Sequence, residues 1–341
     1  MRVKKISDET SYVFDAVAPA MSSIDVNFLK NEYKKSKRRR HRLCFHQNPG
    51  VDLHDIIICY DKSSYIPPNK HIGKVESLLM LSGTIDFYLF NDSGMVYDRR
   101  RLSSNSKDLP FYVRVPANTW HGLRAVGDEP CIIKETISGP YDTESLAWAP
   151  FAPSESEGSS KGFTWYDNIE KECIEKNIGY PDEETFLKVS ENIFKSARQL
   201  TTLSISQIIP IIEAAFKSKI NRSRLCCHIS ESDRLQEMFI VLTKEVNIEE
   251  SIHIRKDESV TVISGKGKYL FPNEDGSIRS EITLREMTPV VTNDAEESYF
   301  FARINRYVPH KIEVISDYII IHEATSGPFL RSDTDYRISQ V

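Results

Sequence analysis

No run of this 341-residue chain approaches the roughly 18 apolar residues that span a bilayer. Behind the basic start, Met1-Arg-Val-Lys-Lys5, there is no apolar run of the kind a secretory leader needs. Cysteine is scarce: Cys44, Cys59, Cys131, Cys173, Cys226 and Cys227 include no C-x-x-C pair, and a chain of this length builds a core without disulfides. Adjacent residues of a strand face opposite ways, so Cys226 and Cys227 are not expected to bond to each other. A reduced, cytoplasmic protein with no membrane span is the expectation. A dominant charge is also lacking. Lys plus Arg total 44 against 49 Asp plus Glu, and the net charge of −5 provides no general field for nucleic acid or an anionic membrane. The one strongly basic run, Lys34-Lys-Ser-Lys-Arg-Arg-Arg-His-Arg42, has no aromatic stacking platform and reads as a solvated helix end entering a strand, with no nucleic-acid partner. Hydrophobic residues at 40% and charged residues at 27% exclude disorder, collagen and coiled coil as global descriptions.

What is present is a repeat. Shifting the chain by 182 residues aligns 40–94 with 222–276 without a gap, and 18 of the 55 positions are identical. Arg40-x-Arg42-Leu-Cys-x-His46 recurs as Arg222-x-Arg224-Leu-Cys-x-His228, and His71-Ile-x-Lys74-x-Glu76-Ser77 as His253-Ile-x-Lys256-x-Glu258-Ser259. After an indel, His121 pairs with His310, and Glu135 and Gly139-Pro140 with Glu323 and Gly327-Pro328. Solenoid repeats run at about 20–50 residues, so this period indicates one domain present twice.

Each copy is strand-rich: 56–60, 77–90, 111–116 and 131–137 carry short β-branched and aromatic runs, matched by 238–242, 259–271, 299–304 and 318–325. Short strands with closely spaced turn signals predict a mostly-β fold of two tandem jelly-roll barrels. Helices are expected at 23–36 and 203–218, the latter started or kinked by Pro210, and at 167–177 and 182–200, where Asp182-Glu-Glu184 suits a helix start. The small, polar stretch 152–162 reads as a flexible linker. The expected division is a helix and first barrel over 1–150, a helical linker over 151–202, and a lead helix and second barrel over 203–341.

Six of the nine histidines fall into the cross-repeat pairs 46/228, 71/253 and 121/310. Two imidazoles and a carboxylate on a rigid β-scaffold suit a divalent transition metal with positions left open for water or substrate; a hydrogen-bonded polar pair inside the barrel is the alternative. Arg40, Arg42, Cys44 and His46 share one strand face, which either points into the cup, where Arg42 and His46 would meet an anionic substrate, or lies between the barrels. Lys74 and Lys256 stand near the cup's mouth as anion contacts or as paired lysines. Glu135 and Glu323 are candidate general bases or hydrogen-bond partners of the turn that follows.

The pattern Asn69-x-His71-x4-Glu76-x6-Gly83 followed by Pro116-x-Asn118-x-x-His121 resembles the two cupin motifs, H-x-H-x(3,4)-E-x6-G and P-x-G-x2-H-x3-N. More narrowly, Arg-x-Arg-Leu-x-x-His, Ser64-Tyr-Ile-Pro-Pro68, Lys74-x-Glu76-Ser77, Trp120-His121 and Glu135-x3-Gly-Pro-Tyr141 resemble the WbuC family of cupin-fold metalloproteins, in a tandem, bicupin form. The resemblance implies double-stranded β-helix barrels. It also implies His71, Glu76 and His121 as metal ligands, with His253, Glu258 and His310 as a second set. The metal would be Zn, Fe, Ni or Mn. Asn69 and Ser251 stand where the pattern has a further His. The second copy lacks the Pro-x-Gly-like turn before His310. The first site is therefore expected to be the better one.

Family context, surface-polysaccharide genes, implies an enzyme of the isomerase or epimerase type acting on a sugar or nucleotide-sugar intermediate. In this expectation Glu135 or His46 moves a proton, and Arg42, Lys74 and Asn69 contact an anionic small molecule. An iron-dependent dioxygenase and a non-catalytic sugar-binding or regulatory cupin are the alternatives. A homodimer is compatible with either.

Overall fold

The computed structural model describes residues 1–14, 18–179, 186–288 and 298–337. In the first half, strands Leu53–Tyr60, Cys131–Ser138, Glu76–Ser82 and Tyr112–Val115 lie side by side. A five-stranded sheet of Leu146–Trp148, Asn69–His71, Trp120–Val126, Thr84–Phe90 and Val96–Ser103 closes over them. In the second half, Arg222–Cys226, Leu235–Thr243, Tyr318–Ser326, Glu258–Ser264 and Tyr299–Ile304 form the corresponding sheet, which continues into Ile278–Arg285, Lys266–Pro272 and Lys311–Val314. These are the two tandem jelly-roll barrels that the repeat predicts. Along each strand, alternate residues point into the barrel and out of it, so Glu76, Leu78, Ile133 and Glu135 line a cavity while Ser77, Lys134 and Thr136 face away.

The halves exchange strands. Ala20–Ser22, in the first copy, pairs with Tyr299–Ile304 of the second barrel, and Thr201–Leu203 pairs with Tyr112–Val115 of the first. Each exchanged strand leads into a helix: α1, Asp25–Lys35, and α3, Ile205–Lys217; between them α2 spans Ser159–Glu175. Apolar clusters also cross the junction. Phe45 packs on Phe301 with ring centroids 4.7 Å apart, and Tyr112 on Phe239 at 5.0 Å. Among the described residues, none of the helices is long and apolar enough to cross a membrane.

Four local expectations change. The stretch 152–162 is ordered: Ser154 and Glu157 form a capping box over a 3-10 turn at Glu155–Glu157, and α2 begins at Ser159. Gly162 fixes α2 against Tyr65, where a Cβ would stand 2.3 Å from the ring. Pro210 lies inside α3, which runs through it because Ile208, Ile211, Ala214 and Ala215 are buried together. The helix expected at 182–200 is replaced over its described part by strands Phe186–Lys188 and Ile193–Ser196; Asp182-Glu-Glu184 lies outside the described residues. Phe194 and Ser196 are buried with period two, and the segment adds in parallel to Arg222–Cys226, so pairing overrides helical propensity there.

The fourth concerns the turn before the last histidine of each site. Asn118 has φ +63° and donates its N–H to the His71 carbonyl at 2.9 Å; Tyr307 has φ +66° and donates to the His253 carbonyl at 2.7 Å. The second copy therefore keeps the turn although its residues have changed, with the backbone hydrogen bond holding a tyrosine in the left-handed region.

Candidate metal centre

Strand Asn69–His71 presents His71, the start of Glu76–Ser82 presents Glu76, and Trp120–Val126 presents His121 directly opposite Asn69. Each of the three side chains offers one ligand atom, and these atoms lie within 4.8 Å of one another. Glu76 Oε2 stands 2.9 Å from His121 Nε2 and 3.4 Å from His71 Nε2. His121 Nδ1 donates to the Thr119 carbonyl at 3.0 Å, which fixes the ring with Nε2 turned towards Glu76. Glu76 Oε2 and Asn69 Oδ1 are buried without a hydrogen-bond partner. Two imidazole nitrogens, a carboxylate oxygen and an adjacent amide oxygen fit a divalent transition metal. The two imidazoles outweigh the cost of burial and hold the Glu76 carboxyl well below its ordinary value.

The cavity around this group is about 550 Å³, within the size range of small-molecule sites. Arg42, Cys44, His46, Asn69, Lys74 and Glu135 all line it, so the strand face that carries Arg42 and His46 points into the cup. Burial, then the neighbouring Glu76 charge, pushes the Glu135 carboxyl up to about 7, which suits a group that accepts and returns protons near neutrality. Arg42 Nε is buried without an acceptor, and among the described residues Arg42 forms no ion pair. The remaining expected residues are engaged by the protein itself. Lys74 Nζ donates to the Pro140 carbonyl and lies 3.7 Å from Asp142. His46 stacks on His54 at 4.2 Å, its Nδ1 donates to the Asp55 carbonyl at 3.2 Å, and burial followed by the His54 neighbour brings its imidazole down to about 3. His46 is thus a neutral hydrogen-bonding wall. The basic run closes on acids: Arg38 and Arg40 pair with Glu9 and Glu155, and Arg39 with Asp61.

Sequence reasoning passed over Tyr12, His54, Tyr60 and Ser138, which also line the cavity. The Tyr60 and Ser138 hydroxyls are buried and unpartnered. Strand parity is the signal that pointed to His54 and Tyr60, which alternate with Ile56 and Ile58 along Leu53–Tyr60, whereas Ser138 departs from the inward parity of Ile133, Glu135 and Ile137.

The second barrel holds His253, Glu258 and His310 around a cavity of about 650 Å³ with Arg224 and Glu323 in its lining. Burial and the Glu258 charge push the Glu323 carboxyl up to about 7, as for Glu135. The triad itself is arranged differently. His253 Nε2 hydrogen-bonds Glu258 Oε2 at 2.7 Å, the Tyr269 hydroxyl donates to Glu258 Oε1 at 3.0 Å, and His310 Nε2 is 3.9 Å from the carboxylate. Glu258 is held down to about 2 by His253 against its burial. Lys256 lies over the Phe329 ring at 5.1 Å.

Between the cups the outward faces of the same strands meet in a buried ionic junction. Asp55 accepts from Ser259 and Arg303 of the second half and lies 3.4 Å from Lys134. In the symmetry-equivalent place, Glu237 accepts from Ser77 and Arg114 of the first half and lies 3.3 Å from His322.

A profile described as Domain of unknown function (DUF6016) matches the chain twice, at 23–102 and 204–284, in register with the repeat. No curated protein matches the sequence. Among solved structures, a variant of salicylate 1,2-dioxygenase from Pseudoaminobacter salicylatoxidans superposes with TM-score 0.54 at 11% identity, over 100% of this chain and 92% of that one. The same variant with gentisate gives 0.54 at 10% identity, over 96% and 88%. A cupin 2 conserved barrel domain protein from Leptotrichia buccalis gives 0.41 at 10% identity, over 84% and 89%. At such identities the likeness is one of fold. The chain has a bicupin fold, two barrels of one duplicated domain.

Proposed function

We propose that the first cup is a metal-dependent catalytic site for a small anionic, oxygen-rich substrate, a sugar or nucleotide-sugar intermediate of surface-polysaccharide synthesis, and that the reaction is an isomerisation or epimerisation. One observation carries this reading: the donors of His71, Glu76 and His121 converge beside the unpartnered Asn69 Oδ1 in the cavity that also holds Glu135 and the unpaired Arg42. The polysaccharide context is supported by the resemblance to the WbuC family.

When bound there, a divalent metal supplies Lewis-acid polarisation of a substrate oxygen. The chain's own groups do the rest. Arg42 offers its guanidinium to the carboxylate or phosphate of the substrate, in the planar geometry that suits either group. Glu135, as the carboxylate, takes the proton from the carbon next to the substrate carbonyl; its return to the former carbonyl carbon, with the adjacent hydroxyl proton passing to the former carbonyl oxygen, gives an isomer, and delivery of a proton from water to the opposite face of the first carbon gives an epimer. His46 stays neutral and fixes the wall behind Arg42.

The test is deuterium incorporation. Metal-loaded protein is incubated in D2O with hexose phosphates and nucleotide-sugars, and carbon-bound deuterium is read by NMR. The proposal expects exchange in at least one compound and its loss in Glu135→Gln. The donor set of two histidines and one carboxylate also suits non-haem iron oxygenases. Oxygen consumption by iron-loaded protein, with no exchange in any compound, would favour that second reading.

A further inference from the structure

We infer that the two cups have divided their chemistry: the chain carries its metal in the first cup alone, and the second is a metal-free binding chamber closed to metal by its own hydrogen bonds. The inference rests on the first-cup reading above but concerns different residues.

The two triads are the same three residue types at equivalent positions of the repeat. Two neighbours of the triad differ in polar chemistry between the copies. Phe87 of the first cup is Tyr269 in the second, and Asn69 is Ser251. In the first cup the Phe87 ring packs on His121 at 5.8 Å and has no polar atom, so nothing on that side satisfies Glu76. In the second, the Tyr269 hydroxyl donates to Glu258 Oε1 at 3.0 Å. His253 Nε2 then hydrogen-bonds Glu258 Oε2 at 2.7 Å; the carboxylate can only accept in that bond, so Nε2 is its donor and offers no lone pair. Thr334 Oγ1, 3.0 Å from His253 Nδ1, completes the partners of that ring.

His310 is closed in the same way. Its Nδ1 donates to the Val308 carbonyl at 2.9 Å, which leaves Nε2 as an acceptor, and the Ser251 hydroxyl faces that nitrogen at 3.5 Å. All three donor atoms a metal would need are thereby engaged, and His310 Nε2 stands 3.9 Å from Glu258 Oε2 against 2.9 Å for His121 and Glu76. A metal entering the second cup would have to displace a closed set of hydrogen bonds, whereas in the first it meets buried atoms that have none.

The second cup nevertheless keeps a cavity of about 650 Å³ with Arg224 and Glu323 at the places of Arg42 and Glu135. It retains the groups that recognise a small anion and has lost the Lewis acid.

The experiment is metal content by elemental analysis, with no activity readout. Full-length protein is equilibrated with Zn2+ or Mn2+ and desalted. About one equivalent is expected in the wild type, unchanged in His253→Ala and lost in His71→Ala/His121→Ala. Adding Tyr269→Phe and Ser251→Asn to the His71→Ala/His121→Ala protein, so that these two positions match the first cup, is expected to restore uptake to about one equivalent. Circular dichroism establishes that each variant is folded. Should a multiple variant not fold, His253→Ala alone decides: loss of an equivalent on that substitution overturns the inference. Two equivalents in the wild type, one of them lost in His253→Ala, would overturn it and leave the first-cup proposal standing. One equivalent in the wild type that survives His71→Ala/His121→Ala and is lost in His253→Ala would overturn both, as would a wild type that takes up no metal.

Discussion

The Ser259 hydroxyl donates to Asp55 across the junction of the two barrels at 2.7 Å, and Ser77 does the same to Glu237 from the other side. Each of these serines immediately follows the carboxylate of its cup, Glu258 or Glu76, so one strand carries a site residue on its inner face and a junction residue on its outer face. Burial would raise the Asp55 carboxyl, but Lys134 and Arg303 hold it below its ordinary value. Removing it leaves Lys134 buried without its carboxylate and Arg303 with Asp257 alone. Asp55→Ala is therefore expected to lower stability by about 3–5 kcal/mol in urea unfolding. With strands exchanged between the halves, the wild type should unfold in one transition. A loss under about 1 kcal/mol, or two separate transitions, would contradict this account of the junction.

The repeated Ser-Gly-Pro segment has a steric reason. A Cβ on Gly139 would stand 1.9 Å from the Val51 carbonyl oxygen, and one on Gly327 would stand 1.8 Å from that of Asp233. Gly139→Ala and Gly327→Ala are each expected to cost about 1–3 kcal/mol or more by thermal or urea denaturation. Gly179→Ala, where nothing lies within 4 Å, should stay within about 0.5 kcal/mol.

Two equivalent imidazoles predict the acid limb of stability. Burial brings His46 down to about 3 and His228 to about 4, whereas an unfolded histidine titrates near 6.5. The folded protein thus binds fewer protons than the unfolded chain below about pH 6.5, and the contribution of each group is full above that pH and lost as pH falls towards its folded value. Each removes about 1.4 kcal/mol per pH unit. His41, His54, His310 and His322 are also lowered and add to the slope, while His71, raised by Glu76 against its burial, opposes it. Replacing His228 with Gln should reduce the slope of unfolding free energy between pH 6 and 5 by about 1.4 kcal/mol per unit. An unchanged slope would show that His228 is not held neutral.

Glu135→Gln separates chemistry from metal binding. The amide keeps the shape of the side chain and cannot take a proton, so metal content should remain at the wild-type level while deuterium exchange falls by about 10²-fold or more. Loss of metal together with exchange would make Glu135 a ligand or a structural group instead.

How much of this was legible beforehand follows from the period of 182. Identical residues at fixed offset identified two copies of one strand-rich domain, and the recurrence of His71, Glu76 and His121 as His253, Glu258 and His310 located both sites. Strand parity put Arg42 and His46 on one face and left open whether that face was the cup or the barrel junction; the structure turns it into the cup. The sequence did not reveal which strands would be exchanged, because Ala20–Ser22 and Thr201–Leu203 are three-residue segments whose partners lie far along the chain. Nor did it reveal the strand at Ile193–Ser196, whose conformation comes from parallel pairing with Arg222–Cys226. The closure of the second triad was written in one aligned pair, Phe87 and Tyr269, but a hydroxyl against a ring hydrogen acquires meaning only when Glu258 is seen beside it.

Metal content of the wild type purified without added metal, compared with His121→Ala prepared identically, tests the central claim most directly. The account predicts about one equivalent of a divalent transition metal in the wild type and none in folded His121→Ala. A wild type that neither contains nor takes up metal, or a His121→Ala protein that keeps the full equivalent, would contradict it.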